Sequence, residues 1–395
     1  MFELIEKLAI LIFYILLIFS NLVAILGILN LFFIKKPNIN NSKVSNNYLV
    51  SILIPARNEA YNIKRCVYSL LDQTYKNFEI IVLDDDSVDD TFKIVSSISK
   101  LDERVSIVQG KAIENGWLGK NWACHQLSRL AKGDFYLFID ADTKLQNKVL
   151  EETIIEMETS DIDLISLFPK RVTTTFVDKI ISVSMGWFIF CCLPLIFSNR
   201  NPIFSSAFGQ YLLFRKSSYL LIGGHESIKN KILDDFELAR SITKSNLVLK
   251  LFDGTERLTT FSYSNEKEAL DGLSKSIFPF FNNKILPFFM LWIIFMSMGL
   301  IPFILFFGGF FDIKLSRYKE LMTYLIWGSL TLSWSMASYR SKQGIFYGIM
   351  FPFITTLTAI IGVFSILTFT YKNVNWKERN VSPGIDKSTE AEEVD

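Results

Sequence analysis

Phe135-Tyr-Leu-Phe-Ile139, running directly into Asp140-Ala-Asp142, is the stretch on which the fold turns. Five consecutive apolar residues mark a strand buried on both faces, not an amphipathic edge. Upstream, Phe78-Glu-Ile-Ile-Val-Leu83 has the same form and ends in Asp84-Asp-Asp-Ser87. Val50-Ser-Ile-Leu-Ile-Pro55 is a third such run, stopped by its proline. Residues 104–108 and 163–168 read as further strands. Between them the period changes to a helical one: residues 60–73 place Ile63, Val67, Leu70 and Leu71 on one face, and residues 91–100 and 119–131 are also helix-like. Strands alternating with helices predict a mostly parallel sheet covered on both sides, a Rossmann-like α/β domain. Ligands of such sheets bind beyond the carboxyl ends of the strands, where the acidic clusters of this chain fall.

The composition sets what surrounds that domain. Hydrophobic residues make up 50% of the 395, with 36 Phe, too many for the α/β core alone. The excess is localised. Residues 8–34 form an apolar block long enough for a bilayer core of ~30 Å, which needs ~20 residues. Met1 to Lys7 carries two Glu against one Lys, and no small-residue cleavage site follows, so the block reads as an uncleaved anchor. Lys35-Lys36 directly after it place its C-terminal side in the cytoplasm. Three more blocks, 285–311, 321–338 and 345–371, predict about three C-terminal spans, and the Arg340 and Lys342 loop between the last two is cytoplasmic in that arrangement. The expected organisation is therefore an anchor and linker over 1–47, the catalytic α/β domain over 48–276, a transmembrane region over 277–371 and a polar tail over 372–395. A fifth apolar stretch, 185–198, is too short to span. Its Trp187, Phe188, Phe190 and Phe197 suit a buried core segment or a helix lying in the membrane interface. With 41 basic and 40 acidic residues the net charge is +1, which leaves no footprint for nucleic acid. The four cysteines show no metal-ligand spacing and read as reduced thiols.

The chemistry sits in three acidic clusters. Asp84-Asp-Asp-Ser87 with Asp89-Asp90 packs several carboxylates around one strand end, where they repel unless a ligand, a metal or a helix N-terminus supplies donors. Ser87 or Asp89 capping the next helix accounts for part of the run. A carboxylate receiving a nucleobase imide or a ribose hydroxyl accounts for another part. Asp140 and Asp142, two residues apart beyond a strand, can turn toward one hard divalent cation, Mg2+ or Mn2+, and neutralise a departing diphosphate. Leu233-Asp-Asp-Phe-Glu-Leu-Ala239 opens a helix. Its carboxylates suit the positive helix end, and one of them suits a general base.

Taken in order, Pro55-Ala-Arg-Asn-Glu59, Asp84 to Thr91, Asp140-Ala-Asp142 and Asp234-Asp235 resemble the family 2 glycosyltransferases, which have the GT-A fold and invert the anomeric centre. The resemblance covers residues 48–263. Gly116-Trp-Leu-Gly-Lys-Asn-Trp-Ala123, Phe208-Gly-Gln-Tyr-Leu-Leu-Phe-Arg215 and Gly223-Gly-His225 are similar to elements of the hopanoid-associated and carotenoid (diaponeurosporenoate-type) glycosyltransferases, and more distantly of ceramide glucosyltransferases. The resemblance implies that Pro55 and Glu59 line a nucleoside pocket and that Asp85 binds the base. It implies that Lys120 approaches a donor phosphate, that Asp140 contacts ribose and metal, that Asp142 ligates the metal and that Asp235 is the base. The chain departs from the family pattern at Asp234, where Glu usually precedes the base, and at Asp86, where Gly is common. It also lacks the Gln-x-x-Arg-Trp segment of processive synthases, which favours a single transfer. His225 after its Gly-Gly turn suits either a structural turn or an acceptor contact. Lys275 suits either the diphosphate or the bilayer surface.

The resulting expectation is a multi-pass enzyme of the cell (inner) membrane with its domain in the cytoplasm. It would move a sugar from a nucleotide-sugar donor, a UDP-hexose, to a lipid acceptor such as a carotenoid, hopanoid or glycerolipid. A polyprenyl-phosphate sugar transferase and a non-catalytic membrane scaffold are the rivals. The spans carry no intramembrane charge that would suggest a transporter.

Overall fold

The computed structural model describes residues 2–37, 47–261, 284–307 and 316–371, with short pieces at 266, 375–376 and 379–380. The chain forms two compact units: Met1–Lys35 with Thr173–Phe197 and Tyr263–Ile366, and Lys36–Val172 with Ser198–Ser262 and the stretch from Leu367 onward.

The second unit is the α/β domain. Its strands are β1 (Val50–Ala56), β2 (Phe78–Asp84), β3 (Val105–Gln109), β4 (Phe135–Phe138), β5 (Thr143–Leu145), β6 (Leu164–Phe168), β7 (Lys170–Val172), β8 (Leu212–Arg215), β9 (Leu249–Asp253) and β10 (Leu258–Phe261). The main sheet has the order β3-β2-β1-β4-β8-β6-β9. Strands β3, β2, β1 and β4 run parallel, as do β6 and β9, while β8 lies antiparallel between β4 and β6. A small second sheet joins β5, β10 and β7. The mostly parallel sheet and its order are those of a GT-A-like fold.

Successive side chains of the inner strands go to opposite layers. Val50, Ile52 and Ile54 of β1 and Phe135 and Leu137 of β4 enter one core, which Ile63, Cys66, Val67 and Leu70 of α2 (Ile63–Leu71) cover. Leu53, Tyr136 and Phe138 enter the other, covered by Ala123, Cys124 and Leu127 of α4 (Gly119–Leu130) and by Leu238, Ala239 and Ile242 of α8 (Asp234–Lys244). Helix α3 (Thr91–Ser99) adds Val95 and Ile98 to the first core. Each fully buried side chain of this size contributes roughly 1.5–3 kcal/mol. Helices α4 and α8, which cover the same core, both begin near the carboxyl edge on which β1, β2 and β4 end.

The first unit holds α1 (Phe2–Phe33), α6 (Phe176–Trp187), α9 (Ile285–Phe306), α10 (Arg317–Arg340) and α11 (Phe351–Tyr371). Two helices, Ile10–Phe33 and Ile285–Phe306, are long and apolar enough to cross a membrane, and the apolar part of α11, Phe351–Leu367, is shorter. Helix α10 is long but spaced with Ser and Thr. Of the three C-terminal spans expected, length and composition therefore support Ile285–Phe306. The 185–198 stretch continues α6 through a single π-turn, Phe188–Cys192. It divides: Trp187 is buried, stacks on Trp334 at 4.8 Å and donates to Ser333 Oγ at 3.0 Å, whereas Met185, Ile196 and Phe197 are exposed.

Gly133 marks a place where the sheet edge tolerates no side chain. A Cβ there would stand 2.6 Å from both the Leu49 carbonyl and the Ser51 amide nitrogen, backbone atoms of β1 and its lead-in. Gly133→Ala is expected to destabilise the α/β domain by about 1–3 kcal/mol through forced backbone shifts. Thermal unfolding of the detergent-solubilised chain checks this, and an unchanged midpoint would refute it.

Candidate active site

At the end of β2 the carboxylates are sorted by burial. Asp84 is 1% exposed; its Oδ2 accepts from the Ser87 amide (3.3 Å) and from Gln109 Nε2 (3.1 Å), while Oδ1 is buried with no partner among the described residues. A buried carboxylate oxygen left unmatched is costly. Sequence reasoning assigned the base-binding role to Asp85 and gave Asp84 none. Asp85 is also buried, and its amide donates to the Ala56 carbonyl at 2.8 Å. The loop is braced by Arg57, whose Nη1 donates to the Asp85 and Asp86 carbonyls at 2.5 and 2.9 Å. Asp86 adopts φ +59°, a left-handed conformation in which Gly is the usual residue, in line with its noted departure from the family pattern. Ser87 Oγ accepts from the Asn58 amide (3.0 Å) and Asp89 accepts from the Ala60 and Thr91 amides (3.0 and 2.9 Å), so these two latch the β1 and β2 loops together. Pro55 and Glu59 are half-buried on the facing loop, and Glu59 Oε2 accepts from Asn62 Nδ2 at 2.9 Å.

The second half of the site gathers around one ammonium. Lys120 Nζ lies 3.0 Å from Asp140 Oδ1 and 3.1 Å from Asp234 Oδ2. The Lys120 side chain is 42% exposed, Asp140 25% and Asp234 11%, so the cluster opens to solvent on the lysine side. Burial works against the charge on Lys120, but Asp140 and Asp234 hold its pKa well above the ordinary lysine value. Asp235 faces elsewhere. Its Oδ2 accepts from the Gly209 amide at 3.1 Å and its Oδ1 from the Phe236 amide at 2.8 Å. A Cβ on Gly209 would come 3.3 Å from Lys120 Nζ, so glycine lets this backbone approach both charges. Gln210 Nε2 reaches Asp140 Oδ2 at 3.5 Å. Gly209 and Gln210 had been quoted only as part of a motif; their two contacts give that motif its physical content.

Adjacent on α8, the two aspartates titrate apart. Burial and then the neighbouring Asp234 charge push Asp235 up to about 7, against the pull of Lys120 and two backbone amides. Burial would also raise Asp234, but Lys120 and then His225 hold it below the usual carboxylate range. Of the two, Asp235 is the carboxyl whose pKa lies near neutrality, while Asp234 stays ionised. His225 is 1% exposed; its Nδ1 lies 2.8 Å from the Tyr219 hydroxyl and its ring 4.6 Å from Phe138. Burial lowers its pKa to about 3, so the imidazole is neutral and packs between Tyr219 and Phe138. Gly224, at φ +50°, carries the turn because a Cβ would meet the Tyr219 ring at 2.5 Å. Lys275 lies outside the described residues.

Asp140 and Asp142 belong to the same edge. Burial, followed by the charges of Asp142, Glu59 and Asp140, pushes the Cys66 thiol up, and its Sγ lies 3.8 Å from the Asp140 carbonyl. Among the described residues no group of three or more His, Cys, Asp or Glu is arranged to hold a metal ion. The two carboxylates still fit a hard divalent cation: they are oxygen donors, Asp140 already faces a cationic group in Lys120, and two protein donors leave coordination for phosphate and water.

Parallel strands whose carboxyl ends gather Asp84 and Asp85, Asp140 and Asp142, and Lys120 form a GT-A-like domain. Residues 51–220 match the family model described as Glycosyl transferase family 2. The 4,4'-diaponeurosporenoate glycosyltransferase of Staphylococcus haemolyticus (strain JCSC1435) is 27% identical over 237 residues, 58% of this chain and 60% of that protein. The protein of the same description from Staphylococcus aureus (strain USA300) is 28% identical over 217 residues, 53% of this chain and 55% of that protein. The match thus spans 55–60% of the length of these relatives. Among solved structures, mannosyltransferase PcManGT from Pyrobaculum calidifontis, in complex with GDP-Man and Mn2+, superposes with a TM-score of 0.52 at 12% identity over 91% of this chain and 98% of that one. It shares the fold.

With Asp235 as base, kcat/KM should rise with pH through about 7, the pKa to which burial and Asp234 bring it. The stability sign is the reverse. A carboxyl raised in the fold keeps a proton that the unfolded chain releases near 3.8, so stability is lost as pH climbs from about 4 to 7. Asp235→Asn is expected to cut turnover ~10²- to 10⁴-fold while raising thermal stability at pH 8. A variant with near-normal turnover, or with Asp234→Asn as the more damaging change, would move the base by one residue.

Proposed function

We propose that this chain transfers a sugar, with inversion, from a nucleotide-sugar donor to a membrane lipid acceptor. The observation that carries the reading is the single cluster in which Lys120 bridges Asp140 and Asp234 while Asp235 stands beside it with a pKa near neutrality. The nucleoside end of the donor would lie between Pro55, Glu59, Asp84 and Asp85, with the unmatched Asp84 Oδ1 receiving an N–H or hydroxyl. Asp140 and Asp142 would hold Mg2+ or Mn2+, which supplies Lewis-acid assistance to departure of the diphosphate. Lys120 would exchange its carboxylate contacts for diphosphate oxygens. The acceptor oxygen would attack the anomeric carbon from the face opposite the leaving oxygen, and Asp235 would take its proton. One C–O bond forms and one breaks, which inverts the centre.

The acceptor class follows from the named relatives and from the apolar helices. The relatives are described as 4,4'-diaponeurosporenoate glycosyltransferases. Two helices here are long and apolar enough to span a bilayer, which would let a carotenoid, hopanoid or glycerolipid reach the site laterally. UDP-hexose is the donor we favour from the family resemblance. Labelled UDP-glucose, UDP-GlcNAc and GDP-mannose incubated with membranes containing the chain should give one labelled lipid with one of them. EDTA should abolish its formation, added Mn2+ or Mg2+ should restore it, and Asp142→Asn should prevent it. Undiminished labelling in excess chelator would overturn the metal assignment, and no labelled lipid from any donor would overturn the function.

The domain is proposed to face the cytoplasm of a multi-pass cell-membrane protein, where nucleotide sugars are made. Lys35-Lys36 after the first apolar helix motivate that orientation. A cysteine placed at Glu103 should resist an impermeant thiol reagent in intact cells and react after permeabilisation. Labelling before permeabilisation would reverse the orientation.

A further inference from the structure

Asn121 follows Lys120 on the first turn of α4 and is 1% exposed. Its side-chain nitrogen lies 2.9, 3.2 and 2.8 Å from the carbonyls of Ile228, Lys229 and Lys231. An amide has two N–H groups, so three carbonyls converge on two donors, and the side chain is committed to them. The Leu118 amide, at the start of the same helix, also donates to the Lys229 carbonyl at 2.9 Å. Residues 229–233 belong to neither the 3-10 turn Gly224–Ile228 nor α8, and Lys229, Asn230 and Lys231 are exposed on their outer side. The fastening to α4 is therefore an inner hold on a segment with no helical or strand ladder of its own.

Its position in the chain gives it a consequence. Asn121 is one residue from Lys120, and Lys231 is three residues from Asp234. The same hydrogen bonds thus anchor both sides of the Lys120–Asp234 ion pair and, through α8, the adjacent Asp235. We propose that Asn121 is a positioning residue that holds segment 228–233 against α4 and thereby sets the distance between Lys120 and the Asp234–Asp235 pair. The proposal rests on the glycosyl-transfer reading for its kinetic consequence and on the hydrogen bonds alone for its structural one. A displacement of about 1 Å at a reacting group can cost about 100-fold in rate, so a segment free to drift is expressed in turnover before it is expressed in binding.

The test uses the full chain in membranes or detergent. Asn121→Leu keeps the volume and removes both donors; Asn121→Ser keeps one donor of shorter reach and serves if the leucine variant does not fold. For folded Asn121→Leu, kcat should fall roughly 10- to 100-fold, with binding of UDP or GDP in the presence of Mn2+ held within about threefold; the serine variant should fall between it and the parent. In an Asp235→Asn background the leucine change should cost less than in the parent, because the part of its effect that passes through Asp235 is already lost. Hydrogen exchange should lose protection across residues 228–235. Unchanged exchange there overturns the inference whatever the activity. So does a kcat within about threefold of the parent, or a double variant whose losses multiply in full. If the parent chain transfers no sugar, the functional reading fails by itself, and the exchange result alone then upholds or overturns the hold on segment 228–233.

Discussion

Three carboxylates, Asp140, Asp234 and Asp235, converge at the open end of the sheet, and the charge that lets them do so is the ammonium of Lys120. At an effective dielectric of about 20, two like charges 4 Å apart cost about 4 kcal/mol, so the cluster would push its own strands and helices apart if unbalanced. Lys120 meets two of the three at 3.0 and 3.1 Å. It also sits in the first turn of α4, where the unpaired amides of the helix add a partial positive charge in the same direction. Because the lysine side chain is 42% exposed, the contact is not sealed. A buried ion pair would be expensive to open, whereas this one opens at smaller cost.

The arrangement also explains how consecutive aspartates come to have different chemistry. On a helix successive side chains diverge by about 100°, so Asp234 and Asp235 cannot face the same partner. Asp234 turns to Lys120 and stays ionised. Asp235 turns to the amide of Gly209, on the loop leading into β8. That loop is brought there because β8 inserts antiparallel between β4 and β6, which returns the chain to the strand ends just before Leu212. The antiparallel strand in an otherwise parallel neighbourhood is thus what supplies the amide on Asp235 and the Gln210 contact on Asp140.

This is also where sequence reading stopped short. The strands over 50–55, 78–83 and 135–139 were legible because unbroken apolar runs in a parallel sheet have nothing to alternate with, and the acidic clusters that end them were legible as site candidates. Strand β8 was not: four residues, Leu212–Arg215, carry too little periodicity, and their partners are far away in the chain. The sorting of Asp84 from Asp85 was equally hidden. Both are aspartates at one strand end, and only the packing of Ser87 and Gln109 around Asp84 leaves one of its oxygens buried and unmatched. The Asn121 hold was invisible for the same reason, since its carbonyl partners are identified by no side chain.

A different kind of legibility appears in α1. Ser20, Asn21, Gly27 and Asn30 look like flaws in an apolar block, yet Ser20, Gly27 and Asn30 fall on one face of the helix with Asn21 on its flank. Asn21 Oδ1 accepts from Ser329 Oγ of α10 at 3.1 Å. A Cβ on Gly27 would meet Cys191 Sγ and the Met336 methyl, each at 3.0 Å. Asn30 Nδ2 donates at 2.8 Å to the Phe190 and Leu193 carbonyls, and Arg340 donates to the Ile34 carbonyl at the helix end at 2.6 Å. The carbonyls that Asn30 satisfies lie in and just after the π-turn, where the ordinary ladder is interrupted and backbone acceptors are freed. In an apolar solvent the hydrophobic effect gives helices no reason to associate, so close approach at small residues and hydrogen bonds from sparse polar ones must serve instead. The interruptions are therefore the packing face of α1, and the uninterrupted leucines and isoleucines, exposed at Leu11, Ile18, Leu22, Ile25 and Leu29, are its outward one.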